Sequence, residues 1–252
     1  MPRLPLGDAT SLLVLTGAGI SAESGIPTFR DANGLWEGHR FEEVASPEGF
    51  AEDPRKVWRF YSQRRRGLAG VVPNLAHHAL AQLEAQLGDR FLLVTQNVDA
   101  LHTAAGSQRV IELHGNLMRT KCNLCNREPF ADTSTYEDEL PRCQPCADRG
   151  RRGMLRPDIV WFGEAISRRD LSQIGSFIEA GARKRTASGY ADLLFLAIGT
   201  SGNVFPAAGL VNAVKSVGGR TYLANLEEPD NGQQFDEMAL GKASVVVPAL
   251  LS

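Results

Sequence analysis

Five segments of this chain are apolar almost throughout and then become polar or small, and this pattern limits the fold more than any other feature. They occupy residues 12–15, 91–99, 109–115, 192–201 and 221–227. Two segments with apolar residues at helical spacing, 73–88 and 206–219, lie between them and close with glycine. Strands without a polar face, alternating with helices, are typical of a parallel sheet that helices cover on both faces. The sequence therefore predicts an α/β fold.

A parallel sheet of this kind binds ligands at the carboxyl ends of its strands. In this chain small and polar residues gather at those ends, in the stretches 17–19, 96–99, 112–115, 199–201 and 225–227. We therefore expect one binding site along that edge of the sheet.

Composition excludes several classes of protein. The chain has 252 residues, which suits one large domain with or without a smaller module. Its net charge is -2, so composition indicates no general affinity for nucleic acids or anionic membranes. No apolar run approaches the roughly 18 residues that span a bilayer. The residues before the first strand contain no apolar segment typical of a signal or transit peptide, and we predict a cytoplasmic protein.

The cysteines form two C-x-x-C pairs, Cys122 with Cys125 and Cys143 with Cys146. Each pair lets two thiolates reach one ion, and four thiolates close a tetrahedral shell, which is typical of structural zinc. Thiol redox chemistry is the alternative, but a single pair would serve it. The stretch between the pairs lacks the apolar residues of a core, so we expect metal binding to supply its folding energy.

Two segments interrupt the alternation of strands and helices. Residues 37–70 are polar, basic and aromatic with a helical pattern, and residues 120–154 carry the cysteines. We interpret them as a helical module and a zinc-binding module of a small domain. The large domain is then discontinuous and comprises residues 1–36, 71–119 and 155–252.

The stretch GAGISAESGIPTFR, residues 17–30, follows the first strand. Its glycines permit a close approach to a phosphate, which N–H groups at a helix start can bind. It fits the Rossmann fingerprint only in part, because no second strand with an acidic residue follows. Taken alone, a tight turn explains it equally well. Polar residues in or beside it favour a ligand: Ser21, Glu23, Ser24, Arg30 and Asp31.

Taken together, the motifs resemble the sirtuins, which are NAD-dependent protein lysine deacylases. In the family's order they are GAGISAESGIPTFRD, TQNVDALHTAAG, ELHGN, the two cysteine pairs, LRPDIVWFGE, GTSGNVFPAAG and NLE. The resemblance as a whole extends from residue 12 to about residue 247. The resemblance implies a Rossmann-like parallel sheet with helices on both faces, plus a small domain of a four-cysteine zinc ribbon and a helical module.

The resemblance implies that His114, in the ELHG motif, is the catalytic base, and histidine titrates near neutral pH. NAD is then a consumed cosubstrate. The acyl oxygen of a modified lysine attacks the ribose carbon as nicotinamide leaves, and His114 deprotonates a ribose hydroxyl that takes over the acyl group. The products are free lysine, nicotinamide and O-acyl-ADP-ribose. We expect packing or capping roles for His39, His77 and His78, and a structural role for His102.

The resemblance also implies NAD contacts at the strand ends, for which ordinary turn chemistry is the alternative. Asn97 and Asp99 match residues that line the nicotinamide pocket, and Gln96 matches a ribose contact. The other expected NAD contacts are Gly17, Ala18, Gly19, Ile20, Ser21, Glu23, Ser24, Ile26, Phe29, Arg30 and Trp36 in the loop over NAD, Val98 between Asn97 and Asp99, Gly199, Thr200 and Ser201 at the phosphates and adenosine, and Asn225, Leu226, Glu227 and Ala243 at the adenosine end.

Residues 160–164 and 202–206 match the two segments between which the substrate peptide lies as an added strand. The expected contacts are Phe162, Gly163, Glu164 and Val204. Such pairing uses backbone hydrogen bonds and reads peptide sequence loosely, so we expect many acylated protein substrates. A place in the core is the alternative for Val160 and Trp161.

The stretch FYSQRRRG places a tyrosine before three arginines. In a helix Arg64 and Arg65 both lie near the face of Tyr61. The resemblance selects Tyr61 and Arg64, because a Tyr-x-x-Arg pair marks the sirtuins that remove succinyl and malonyl groups. A guanidinium offers a planar fork to a carboxylate, and Ala45 leaves room for a longer acyl chain. We predict solvated positions for Arg65 and Arg66.

Three functions are consistent with these residues. The first is an NAD-dependent lysine deacylase that removes succinyl, malonyl and acetyl groups. The second is a mono-ADP-ribosyltransferase, against which the intact ELHG motif argues. The third is an NAD-binding sensor or scaffold, which would need no base such as His114. We further expect one structural Zn²⁺, no nucleic-acid or membrane partner, and a monomer.

Overall fold

The computed structural model describes residues 3–28, 35–36, 39–184, 189–202 and 204–252, and only the backbone of residues 35–36. None of the helices in these ranges combines the length and the apolar character that crossing a bilayer requires.

The strands define two main sheets. In chain order they are β1 (Ser11–Thr16), β2 (Leu35–Trp36), β3 (His39–Arg40), β4 (Phe91–Thr95), β5 (Val110–Glu112), β6 (Gly115–Cys122), β7 (Phe130–Ala131), β8 (Leu155–Ile159), β9 (Leu193–Ile198), β10 (Arg220–Asn225) and β11 (Glu237–Leu240). The larger sheet is parallel, with the order β11-β10-β9-β1-β4-β5. This confirms the predicted parallel sheet.

Helices cover this sheet on both faces. All helices of the described residues are, in chain order, α1 (Phe41–Val44), α2 (Pro47–Glu52), α3 (Pro54–Gly67), α4 (Leu75–Leu87), α5 (Leu101–Ala104), α6 (Gln144–Ala147), α7 (Arg168–Ala182), α8 (Leu210–Ser216) and α9 (Ala243–Leu251), with 3-10 helices at Ala18–Ser24, Gly88–Arg90, Ala207–Gly209 and Gly232–Gln234. Successive residues of β1 point to opposite faces. Leu12 and Val14 share a core with α4 and α9, whereas Leu13 and Leu15 share one with α7 and α8.

The strand order determines where a ligand can bind. The chain builds the sheet outward from β1 through β4 to β5, and then returns to the other side of β1 with β9. The loops after β1 and β9 therefore leave the sheet in different directions and open a crevice at the carboxyl ends of the strands. The glycine-rich turn follows β1 at this point.

The two inserted segments pack together in one core. Strands β7, β6 and β8 form an antiparallel sheet beside the cysteines. Its core includes Trp58 and Tyr61 of α3 together with Leu117, Cys146 and Leu155. Helix α3 therefore depends on the cysteine-bearing segment for one of its faces.

Arg65 contradicts its predicted solvated position, because only 3% of it is exposed. Its side chain donates hydrogen bonds of 2.6–3.0 Å to the carbonyls of Leu117, Arg119 and Ser134 and to Thr120 Oγ1. The Asp132 carboxylate lies 3.4 Å from Arg65 Nη1 and supplies the opposite charge. The prediction was wrong because the face of α3 beyond Tyr61 continues into the core rather than into solvent.

Arg66, in contrast, is exposed and pairs with Glu137, which confirms the prediction for this residue. Two successive arginines of α3 thus occupy opposite environments.

We expect Arg65→Met to lower the free energy of unfolding by about 3–5 kcal/mol, because it leaves the Asp132 carboxylate without its positively charged partner and several buried carbonyls without their donor. Arg66→Met is the matched control and should cost no more than about 1 kcal/mol, since exposed ion pairs contribute little. Urea denaturation followed by circular dichroism measures both. A similar small loss in the two variants would contradict the buried role of Arg65.

Candidate functional site

The glycine-rich turn after β1 lies directly against the loop after β9. The Gly17 N–H donates to the Ile198 carbonyl at 3.0 Å, and the Gly19 N–H donates to the Gly199 carbonyl at 2.8 Å. A Cβ atom at Gly199 would lie 2.4 Å from the Ile20 nitrogen, and the φ angle of Gly199 is +60°. Glycine is required there for both reasons.

Asn97 and Asp99 contact this turn through Ser21. Asn97 Nδ2 donates to the Gly17 carbonyl at 3.1 Å and to Ser21 Oγ at 3.2 Å. Ser21 Oγ in turn donates to Asp99 Oδ2 at 2.7 Å. Burial raises the pKa of the Asp99 carboxyl, and hydrogen bonds from Leu101 N–H and Ser21 partly oppose this. Three side chains that the sequence assigned to one site are therefore in contact.

Asn74 and His77 support the turn from the start of α4, where they form a capping box. Asn74 Nδ2 donates to the Ile20 carbonyl at 2.8 Å and to Ser24 Oγ at 3.0 Å. His77 Nδ1 accepts the Asn74 N–H at 3.3 Å, so the His77 proton lies on Nε2, which is 3.5 Å from Ser21 Oγ. Burial lowers the pKa of His77 to about 4. The capping role predicted for His77 agrees with this geometry.

His114 follows β5, and one of its ring nitrogens is hydrogen-bonded within the protein. Its Nδ1 lies 3.1 Å from the Gln96 carbonyl oxygen, and because a carbonyl only accepts, Nδ1 carries the proton. Nε2 therefore has a lone pair that can take a proton. Burial lowers the pKa of His114, and the hydrogen bond to Gln96 partly opposes this shift. The neutral ring thus predominates at neutral pH, as a general base requires.

Two amide side chains hold the loop after β9. Gln96 Nε2 donates to Thr200 Oγ1 at 3.1 Å, and Asn225 Nδ2 donates to the Thr200 carbonyl at 3.3 Å. Gln96 thus contacts His114 through its backbone carbonyl and Thr200 through its side-chain amide. The ends of β4, β5, β9 and β10 lie along one edge of the sheet, as predicted.

The predicted contacts of the adenosine end lie near the surface. The Glu23 carboxylate accepts from Ser244 N–H at 2.9 Å and from Ser244 Oγ at 2.8 Å. This ties the glycine-rich turn to the start of α9, where Ala243 is the first residue. Leu226 and Glu227 are exposed. Predicted contacts that fall outside the described residues are Phe29, Arg30 and the side chain of Trp36.

Tyr61 lies fully buried in the core that α3 shares with the cysteine-bearing segment. Trp161 Nε1 donates to Tyr61 Oη at 2.9 Å, and burial raises the pKa of Tyr61, so the hydroxyl keeps its proton. Arg64 is half-buried, one helical turn after Tyr61. The charge of Arg64 opposes the rise in pKa that burial causes at both Tyr61 and Asp99. The positive charge of Arg64 therefore favours the ionised form of both groups.

The predicted peptide contacts differ in exposure. Phe162 and Val204 are 46% and 40% exposed. Phe162 N–H donates to the Ala45 carbonyl at 3.0 Å, so the two predicted substrate contacts adjoin. Glu164 is engaged within the protein, since its carboxylate accepts hydrogen bonds from Arg156 and from the Trp161 N–H.

The four cysteine sulfurs form a compact cluster and all lie within 4.8 Å of one another. The pairs Cys122–Cys146 and Cys125–Cys143 are each 3.8 Å apart. Tetrahedral zinc, with Zn–S bonds of about 2.3 Å, separates its sulfurs by about 3.8 Å. A Cβ atom at Gly153 would lie 2.7 Å from Cys146 Sγ, so glycine leaves room for the sulfurs. The cluster fits a structural zinc ion without an open coordination position.

Comparison with known proteins decides the family. The Sir2 family model matches residues 17–206. The chain belongs to the Sir2 family. The NAD-dependent protein deacylase of Rhodopirellula baltica is 49% identical over 249 residues, which cover 96% of this chain and 98% of that relative. This membership confirms the predicted family.

Two solved structures show the same fold. A Sir2 homologue mutant in complex with ADP-ribose has 40% identity and a TM-score of 0.83, with 96% of this chain and 92% of that chain covered. A Sir2 homologue–NAD complex has 41% identity and a TM-score of 0.83, with 96% of this chain and 89% of that chain covered. The predicted α/β fold with a small zinc-ribbon domain is confirmed.

Some residues that shape the site were not predicted. The sequence could have shown Asn74 as a helix N-cap, because asparagine is typical directly before a helix. It could not have shown the hydrogen bonds of Asn74 to Ile20 and Ser24, since these join segments that are distant in the chain. For Trp161 the sequence offers a place in the core as the alternative to peptide binding. A buried position in the core does not by itself predict the hydrogen bond from Trp161 to Tyr61. His102 is 2% exposed and contacts Thr16 Oγ1 at 2.8 Å, which agrees with its predicted structural role.

We expect one zinc ion per chain and a large fall in the thermal unfolding midpoint when a chelator removes it, because binding energy at a structural zinc site is folding energy. Metal analysis and thermal unfolding measure the two quantities, and Cys143→Ser should lose the ion outright. Re-addition of zinc to the chelated protein serves as the control. A metal-free native protein whose stability responds to thiol reductant instead would favour the redox alternative.

Proposed function

We propose that the protein is an NAD-dependent protein lysine deacylase that transfers the acyl group of a modified lysine to ADP-ribose. Membership of the Sir2 family and a relative named for this activity support the proposal. The observation that carries it is the hydrogen bond between His114 Nδ1 and the Gln96 carbonyl. This bond leaves Nε2 as the basic atom of a buried, neutral imidazole.

The residues at the strand ends have different roles in binding NAD and in catalysis. Bound NAD supplies an electrophilic ribose carbon, with nicotinamide as the leaving group. Asn97 and Asp99 line the nicotinamide position, and the backbone of the turn at Gly17 and Gly199 accommodates the phosphates. Asn225 binds the adenosine end. His114 Nε2 takes the proton of a ribose hydroxyl, so that this oxygen can accept the acyl group.

Acyl groups that end in a carboxylate, succinyl and malonyl, are proposed substrates together with acetyl. Tyr61 and Arg64 lie one turn apart on α3, and a tyrosine O–H beside a guanidinium suits a carboxylate. Ala45, with its small side chain, adjoins Phe162 of the peptide segment. Acetyl-lysine remains a substrate, because nothing in such a pocket excludes a smaller group.

The proposed partners are acylated proteins of varied sequence, since pairing along residues 160–164 and 202–206 uses backbone groups. A cytoplasmic location, a monomeric state and the division into domains at residues 36, 70, 119 and 154 stay predictions.

We expect His114→Ala to lower kcat/KM for an acetyl-lysine peptide by about 10²–10⁴-fold, because the general base is removed. In the native protein kcat/KM should be constant above about pH 6.5 and fall at lower pH, since the neutral ring is active and burial holds the pKa of His114 below its ordinary value. Nicotinamide and O-acyl-ADP-ribose release measure the rate.

Exposed His78 supplies the control for this experiment. His78→Ala should keep both the rate and the pH profile. Label transfer from NAD to protein without deacylation would favour the ADP-ribosyltransferase, and binding of NAD without release of nicotinamide would favour the sensor.

We expect Arg64→Met to lower the ratio of succinyl to acetyl kcat/KM by about 10- to 100-fold, because a charge-assisted hydrogen bond to the acyl carboxylate is lost. One peptide sequence carries either acyl group. Arg59→Met, on the exposed side of the same helix, should keep the ratio. Absence of succinyl turnover in the native protein, or an equal loss of both activities in Arg64→Met, would leave a plain deacetylase.

A further inference from the structure

Two aromatic side chains meet where α3 approaches the end of β8. Trp161 and Tyr61 are 3% and 0% exposed, and their ring centroids are 6.4 Å apart. Trp161 Nε1 lies 2.9 Å from Tyr61 Oη. An indole nitrogen donates and never accepts, so the tyrosine oxygen is the acceptor.

This hydrogen bond determines which further hydrogen bond the Tyr61 hydroxyl can make. A phenol has one proton to donate, and among the described residues Tyr61 Oη has Trp161 as its one hydrogen-bond partner. The Tyr61 proton is therefore left for another acceptor. A hydroxyl that accepts one hydrogen bond also donates the next one more strongly, because linked hydrogen bonds polarise one another.

Trp161 is itself held in one orientation. The guanidinium of Arg156 lies over its ring, with Cζ 3.3 Å from the ring centroid, as in a cation–π stack. Arg156 donates to Glu164 at 2.5 and 2.9 Å and to the Ile159 carbonyl at 2.7 Å. Glu164 also accepts the backbone N–H of Trp161 at 2.9 Å. These contacts form a closed ring that fixes the plane of the indole, and with it the direction of its N–H.

We propose that Trp161 is a positioning residue for acyl selectivity, which orients the Tyr61 hydroxyl so that its proton points toward the carboxylate of an acyl group beside Arg64. The inference rests on the proposed acceptance of succinyl- and malonyl-lysine. An acetyl group has no carboxylate for this proton. The effect of Trp161 therefore falls on the choice between acyl groups, whereas a purely structural residue would affect all of them equally.

The test compares Trp161→Phe with Trp58→Phe. Phenylalanine keeps an aromatic ring under Arg156 and removes the indole N–H. Trp58 is a matched control because it is buried in the same core, has the guanidinium of Arg65 with Cζ 5.3 Å from its ring, and donates its indole N–H to the Leu155 carbonyl at 3.0 Å. The two substitutions thus remove the same chemical group from similar surroundings.

We expect Trp161→Phe to lower the ratio of succinyl to acetyl kcat/KM about tenfold, mainly through a higher KM for the succinyl peptide, because one oriented hydrogen bond is lost. Trp58→Phe should change the ratio by less than about twofold, even where its melting temperature falls as far, since the indole N–H that it removes binds the Leu155 carbonyl and not Tyr61. An unchanged ratio in Trp161→Phe, or the same change in both variants, overturns the inference.

Tyr61→Phe, with Trp161 intact, removes the hydroxyl that Trp161 orients. It also provides the test if Trp161→Phe does not fold. We expect about the same tenfold loss in the ratio, and a double variant that loses no more than either single variant, because both substitutions act on one hydrogen bond. Additive losses, or an unchanged ratio in Tyr61→Phe, would show that Trp161 does not act through Tyr61.

Failure of the proposed acyl preference has a different signature. The native protein would then not use the succinyl peptide, or Arg64→Met would keep the native ratio. If Arg64→Met lowers the ratio and Trp161→Phe does not, the acyl preference stands and the role of Trp161 alone is rejected.

Discussion

Backbone meets backbone where β1 and β9 end, because Gly17, Gly19 and Gly199 bring no side chains to the contact. A Cβ atom at Gly19 would lie 2.7 Å from the Gly199 Cα. The close approach places the 3-10 helix that starts at Ala18 over the ends of the neighbouring strands, and Ser21 can then reach Asp99. The contact lies at the point where the sheet order reverses, which is where a phosphate-bearing ligand is expected.

Much of the large sheet could be predicted, because its central strands are buried on both faces and read as continuous apolar runs. The edge strand β11 could not. Glu237, Met238 and Leu240 are exposed and only Ala239 is buried, so no apolar run marks it. Helix α9 was also missed, since nine mostly apolar residues with an internal Pro248 do not distinguish a short helix from a buried strand.

The site was predictable to the extent that strand ends carry it. Pattern alone placed Asn97, Asp99 and His114 at one edge, and the resemblance to sirtuins assigned their roles. What pattern could not supply is the partner of each side chain. The proton of His114 is set by a carbonyl of Gln96, eighteen positions earlier in the chain. Such contacts depend on how two segments meet in space, and local sequence carries no record of that.

Helix α3 also shows that local sequence does not record the contacts of a side chain, because Arg64 and Arg65 are adjacent in sequence and contact different parts of the molecule. Arg64 lies one helical turn from Tyr61, whereas Arg65 binds the helix to the carbonyls of Leu117 and Arg119 in β6. An α-helix rotates by about 100° with each residue, so one inserted or deleted residue between Trp58 and Arg65 would turn these groups away from their partners together. The exposed positions of this helix are free to vary in residue type, but its length between these two residues is not free to vary at all.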